Sequence, residues 1–178
     1  MRPSTRLAML AAATLSLPSP TSAQAADPSD VESIDAVMTA VYDVISGAAG
    51  EARDWDRWHS LFAEGATLSA VGRQQSGAYG RVVMTPESYA ESSGPVLERN
   101  GFFEVEIHRV TEAYGNIAHA FSTYESRRAE SDPEPFARGI NSFQLMNDGS
   151  RWWVVSIYWQ GEGPENRIPE RYLGRGGR

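Results

Sequence analysis

Histidine and cysteine, the side chains most often used for acid–base, nucleophilic and metal chemistry near neutral pH, are scarce in this 178-residue chain. There are three histidines, His59, His108 and His119, and no cysteine. The lack of Cys removes thiolate nucleophiles, disulfides and lipid attachment at a cysteine. If Gly115-Asn116 forms a two-residue hairpin loop, His119 stands opposite Glu112 and His108 opposite Thr123. The two histidines then share a face but lie roughly 13 Å apart along the ladder. One ion held by both at about 2.0–2.1 Å is excluded at that separation, so no metal site is expected and both read as surface or interface residues. His59 sits on an expected helix and could serve as a base only if it turned toward a pocket. The strand carboxylates are Glu104, Glu106, Glu112 and Glu125. No Ser/His/Asp triad, phosphate loop or Glu-x-x-His pattern can be assembled from the chain. Arg138, next to Gly139, has the fork geometry to take a ligand carboxylate, but an ion pair with Glu125 or Glu162 is the simpler expectation.

The strands that position these groups are set by two turns. Asp148-Gly149 is a two-residue signal for a type I′ turn. With Asn147 facing Ser150, Leu145 faces Trp152, Phe143 faces Val154, Asn141 faces Ser156 and Gly139 faces Tyr158. The opposite face carries Ile140, Ser142, Gln144 and Met146 with Trp153, Val155, Ile157 and Trp159. Both faces are largely apolar and both need cover. The Gly115-Asn116 hairpin divides in the same way. Phe103, Val105 and Ile107 share one face with Ala118, Ala120, Ser122 and Tyr124, a good core or pocket wall. Glu104, Glu106 and His108 share the other with His119, Phe121, Thr123 and Glu125, and that face reads as solvated or intermolecular.

Helices come first in the chain. Ser29 and Glu32 have capping-box spacing, and Val31, Ile34, Val37, Met38, Val41, Tyr42 and Ile45 recur at helical spacing until Gly47. Asp54 is the expected cap of a second helix carrying Trp55, Trp58, Leu61 and Phe62 and stopped by Gly65. Short strands follow at 67–71 and 81–84. Thr85-Pro86 opens a third helix that runs to about Glu98. Four strands at 102–113, 117–128, 136–146 and 151–160 complete the order, which implies an α+β domain with helices on one face of the sheet.

This order resembles the nuclear transport factor 2-like superfamily, in particular its SnoaL-like branch, over nearly all of 31–160. The resemblance rests on Asp54-Trp-Asp-Arg-Trp-His-Ser-Leu-Phe62, Asn116-Ile-Ala-His-Ala120 and Asp148-Gly-Ser-Arg-Trp-Trp-Val154. It implies a cone-shaped half-barrel in which three N-terminal helices pack on a strongly curved, mostly antiparallel sheet. A pocket is implied between helices and concave sheet, with dimerisation through the convex face. On that pattern Trp152, Val154, Ser156 and Tyr158 continue the concave face. The pocket is then lined by Trp58, Tyr89, Tyr124, Asn141, Ser156 and Tyr158, with Ser122 as a further polar tip. Members of the superfamily include isomerases, cyclases, dehydratases, hydrolases and non-catalytic subunits. Ketosteroid isomerase pairs a carboxylate base with an oxyanion hole of Tyr and neutral Asp. The glutamates on the strands here do not match that base.

The first 25 residues read as an export signal. Arg2 and Arg6 precede an apolar run from Leu7 to Leu17, Pro18 and Pro20 break it, and Ala23-Gln24-Ala25 supplies the small-x-small cleavage pattern. A membrane span needs about 20 apolar residues, more than this run offers. Cleavage there takes Arg2 and Arg6 from the 16 basic residues and none of the 23 acidic ones, so the mature chain is more acidic than the −7 of the whole. That charge disfavours nucleic acid and anionic membrane surfaces as partners. The expected organisation is a signal peptide over 1–25, one domain over 26–163 and a flexible tail over 164–178. The expected protein is periplasmic or secreted. It binds a small, largely apolar molecule without a cofactor, and pairs as a homodimer through the second apolar face. The alternative is a cofactor-independent isomerase, dehydratase or hydrolase of a polycyclic or aromatic compound. In that case Tyr124 or Tyr158 donates a hydrogen bond, Asn141 orients and His59 is the candidate base.

Overall fold

The computed structural model describes residues 25–174; the expected signal peptide lies almost wholly outside them. In chain order the elements are α1 (Pro28–Val31), α2 (Ile34–Ile45), α3 (Trp55–Ser60), β1 (Phe62–Arg73), β2 (Tyr79–Met84), α4 (Pro86–Asn100), β3 (Phe103–Tyr114), β4 (Ile117–Arg127), β5 (Ala137–Asn147) and β6 (Trp152–Gly161). A single 3₁₀ turn, Glu170–Tyr172, follows. The fold is α+β, as expected: helices pack on one side of a six-stranded sheet ordered β2-β1-β6-β5-β4-β3, in which β1 and β6 alone are parallel.

Local chemistry accounts for the helix boundaries and corrects two of them. Asp27, not Ser29, caps α1, and Ser33 opens α2 by accepting from the Ala36 amide at 3.0 Å. Two caps six residues apart divide what periodicity reads as one helix. The expected second helix is cut short as well. Asp54 caps it as foreseen, but it ends at Ser60, because the Leu61 carbonyl accepts from the Val154 amide and Phe62 pairs with Val154 in the sheet. Leu61, the C-cap of α3, and Phe62, the first residue of β1, are both buried there instead of forming a helical stripe. α4 starts at the Thr85–Ser88 capping box with Pro86 in its first turn and ends at Gly101, where φ is 69°. Between α2 and α3 the buried Arg53 donates to the carbonyl of Ile45, which the end of α2 leaves without a helical partner, and to that of Gly47 beyond it.

Two β-bulges decide which side chains face the helices. In β3, Glu106 pairs with Tyr124 and His108 with Thr123, so Ile107 is the extra residue. In β6, Val154 pairs with Leu145 and Ser156 with Gln144, so Val155 is extra. A bulge reverses the alternation beyond it. Glu104 and Glu106 therefore share the inner face with Tyr124 and Ser126, while Val105 turns outward, 46% exposed. On β6 the inner residues are Val154, Ile157 and Trp159, and Ser156 and Tyr158 point the other way.

The turn before β6 also differs from expectation. Asn147 pairs with Trp152, which leaves a four-residue loop, and among the described residues every positive φ belongs to a glycine. Asp148 thus does not enter the conformation a type I′ turn requires. Its carboxylate instead accepts from the amides of Ser150 and Arg151.

The C-terminal segment is not a loose tail over 164–174. It crosses the convex face, burying Ile168, and Thr123 donates to the Tyr172 carbonyl at 2.6 Å. The ring of Tyr172 stands edge-on to Phe121 with centroids 5.1 Å apart.

Candidate functional site

Between α2, α3 and α4 and the concave sheet lies a cavity of about 400 Å³. Its walls are aliphatic and aromatic over most of their area: Val41, Leu68, Leu97, Phe143, Ile157 and Trp159 supply much of it. Trp58, 1% exposed, forms part of the floor; it donates to the Pro86 carbonyl at 3.0 Å and stacks on Tyr89 at 5.1 Å. Apart from Ser92 and Ser93 on α4, the polar exceptions gather where β3, β4 and β5 meet α2: Glu104, Tyr124, Ser126 and Asn141, with Tyr42 from the helix and Tyr89 beyond.

Glu104 is the residue that sequence reading placed on the wrong face. Its exposed surface looks into the cavity, where Ser126 donates to Oε2 at 2.9 Å and the Asn141 side-chain amide to Oε1 at 3.4 Å. Burial raises its pKa from the usual 4.5 to about 7, against the pull of those two hydrogen bonds. A carboxyl poised near neutrality can both take and return a proton. The phenols around it respond in kind. Tyr42, Tyr89 and Tyr124 all ionise above the ordinary tyrosine range, first through burial and then through the charge of Glu104, so they stay protonated as donors. Among the described residues no group hydrogen-bonds the hydroxyl of Tyr89 or Tyr124, so both are free to meet a ligand oxygen. Gly139 makes room for Tyr124: a β-carbon there would strike its hydroxyl and lie 2.5 Å from the Gln160 carbonyl oxygen.

Of the six residues expected to line the pocket, Trp58, Tyr89, Tyr124 and Asn141 meet in this cavity. Ser156 and Tyr158 do not. The Val155 bulge sends them to the convex side, where Tyr158 is 49% exposed beneath the C-terminal segment, and Ile157 and Trp159 take their place inside. Ser122 lies fully buried behind Tyr42, hydrogen-bonded to its hydroxyl at 2.7 Å. His59 is not a cavity wall. Its Nε2 is buried without a partner among the described residues, and its charge helps to lower the pKa of Glu87, after the hydrogen bonds from the Glu87 backbone and Thr85. His108 and His119 face Thr123 and Glu112 across the outer ladder, and His119 Nε2 contacts Ser142 Oγ at 3.0 Å. Arg138 is engaged by Glu162 at 2.8 Å and Glu125 at 4.0 Å, the structural pairing that its sequence neighbours suggest.

A signal for Glu104 did exist. The apolar alternation Phe103, Val105, Ile107 resumes at Val110, out of phase, and such a slip marks an inserted residue.

No family model matches the chain, and no curated protein matches it. Solved structures do match. A candidate dehydratase of the NTF2-like family from Streptomyces avermitilis superposes with a TM-score of 0.53 at 14% identity, covering 75% of this chain and 96% of that one. The β subunit of a candidate aromatic-ring-hydroxylating dioxygenase from Novosphingobium aromaticivorans reaches 0.55 at 15% identity, covering 78% and 91%. A candidate ketosteroid isomerase from Parabacteroides distasonis reaches 0.51 at 11% identity, covering 75% and 92%. At these identities the likeness is one of fold, and the chain has the nuclear transport factor 2-like fold.

Proposed function

We propose that the chain holds a small, largely apolar molecule in its cone and moves a proton on it, with Glu104 as the acid–base group and no cofactor. The observation that carries this reading is a buried carboxyl turned into a largely apolar cavity among hydroxyl and amide donors, where burial pushes its ionisation up toward neutrality. Ionised Glu104 takes a proton from a carbon beside a carbonyl. The negative charge that develops on the carbonyl oxygen is met by the hydroxyls of Tyr89 and Tyr124, both unpaired and both protonated. Return of the proton to another carbon makes the reaction an isomerisation; delivery to a departing hydroxyl makes it a dehydration. Two of the matched structures are a candidate dehydratase and a candidate ketosteroid isomerase, which supports the class of reaction but not the substrate.

The competing reading is a carrier without turnover, favoured by the aliphatic and aromatic lining. Mass spectrometry of small molecules that co-purify with the protein identifies the occupant. Incubation of the occupied protein in D₂O then separates the readings. Deuterium is expected to enter the ligand with wild type and not with Glu104→Gln, while both retain binding. Binding without exchange in the wild type leaves a carrier.

A further inference from the structure

Behind Glu104 runs a chain of hydrogen bonds whose direction is dictated at its far end. Glu106, on the same inner face, is held by Arg109 Nε at 3.3 Å, and Arg109 also pairs with Asp35 at the start of α2. A carboxylate only accepts, so Ser122, hydrogen-bonded to Glu106, must spend its single proton there. The 2.7 Å contact between Ser122 and Tyr42 is then made with the Tyr42 proton. Tyr42, its proton committed, can only accept from Asn141, at 3.1 Å. The nitrogen end of the Asn141 amide is thereby turned inward, and its second hydrogen reaches Glu104 Oε1 at 3.4 Å.

We infer that Glu106 and Ser122 are positioning residues, which act through Tyr42 to hold the donor end of Asn141 against Glu104 and so favour its ionised form. The inference rests on the reading of Glu104 as the acid–base group for its meaning in turnover, but not for its test. The opposite polarity is self-consistent too. Were Glu106 neutral, Ser122 and Tyr42 could each reverse, the amide could flip, and its oxygen would accept from protonated Glu104. The ion pair of Glu106 with Arg109, which keeps the far end of the chain an acceptor, selects between the two. Glu104 is faced by Tyr42 from α2, Tyr89 from α4, Tyr124 and Ser126 from β4 and Asn141 from β5, and Glu106 lies two residues along its own strand. Ser122 touches none of the atoms of Glu104, and neither Ser122 nor Tyr42 carries charge. Removing either leaves the Coulomb field at Glu104 almost unchanged and alters only the polarity of the chain.

The test is the ¹³C carboxyl titration of Glu104 by NMR in the ligand-free protein, its signal assigned by its loss in Glu104→Gln. Ser122→Ala and Tyr42→Phe are each expected to raise the Glu104 midpoint by about one pH unit, tenfold in proton affinity. Two variants keep the test open if one does not fold. A midpoint unmoved in the folded variants overturns the inference. Failure of the catalytic reading looks different: deuterium would then either fail to enter the ligand with wild type or enter equally with Glu104→Gln, whatever the titration shows.

Discussion

Replacing Glu104 by Gln should stabilise the protein, and by an amount that depends on pH in a defined way. Folding raises the pKa of Glu104 from 4.5 to about 7, so between those values the folded state binds a proton that the unfolded state has lost. The contribution of the group is fully present below the lower value, declines as pH rises through the higher one, and is level beyond it. A difference of about 2.5 pH units at about 1.36 kcal/mol each amounts to roughly 3 kcal/mol lost by the wild type above neutrality. Gln has nearly the shape of protonated Glu, can still engage Ser126 and Asn141, and has no proton to lose. The two proteins should therefore match within about 1 kcal/mol near pH 4. The variant should pull ahead by roughly 3 kcal/mol at pH 8, or roughly 6–12 °C in Tm for a domain of this size. Denaturant melts of both proteins across that range supply the difference, in which distant titrating groups cancel. A gap that does not change with pH would refute the burial argument, since Glu104 would then ionise alike in both states.

Two expectations concern the whole molecule. We propose that the signal is removed on export; N-terminal sequencing of protein from the culture medium or periplasm should begin at or near Ala26, and a soluble product retaining Met1 would refute it. We also propose a homodimer through the part of the convex face that the C-terminal segment leaves open, where Ile117, Met146 and Val155 are 61%, 37% and 38% exposed and adjoin Trp153. Val155→Glu should convert a dimer to monomer in sedimentation at micromolar concentration, and a monomeric wild type removes the interface.

The element order, the caps at Asp54 and Thr85, and the four-strand meander were all legible from spacing and turn chemistry, because each is settled by neighbours in the chain. Which face of a strand looks inward is not local once a bulge intervenes. Strict alternation put Glu104 outside and Tyr158 inside, and each error is one inserted residue, Ile107 and Val155 respectively. The same limit misplaced Ile157 and Trp159 on the expected dimer face, since a shift of one residue exchanges every side chain beyond it. Tyr124 and Asn141 both face inward because the β4–β5 ladder runs without interruption from Ile117 to Ser126.

The two bulges also explain why the site has a polar side and an apolar side. Without the insertion at Ile107, β3 would present Phe103 and Val105 to the cone, and the carboxyls of Glu104 and Glu106 would lie in water. Without the insertion at Val155, β6 would present Ser156 and Tyr158 there, and hydroxyls would face Asn141 from both flanks. With both, the β3–β5 wall carries the carboxyl, the amide and the hydroxyl of Tyr124, while the β1–β6 wall carries Leu68, Ile157 and Trp159. A ligand with one oxygen and an extended apolar body can then satisfy the cavity in one orientation, its oxygen toward Tyr89 and Tyr124 and its body against the β6 wall. Reversal would leave the two phenol hydroxyls against hydrocarbon, and an unpaired buried polar group costs about 1–3 kcal/mol. On the proposed reading, orientation is enforced mainly by what the wrong pose leaves unsatisfied, and the proton taken by Glu104 comes from the end of the molecule that carries the oxygen.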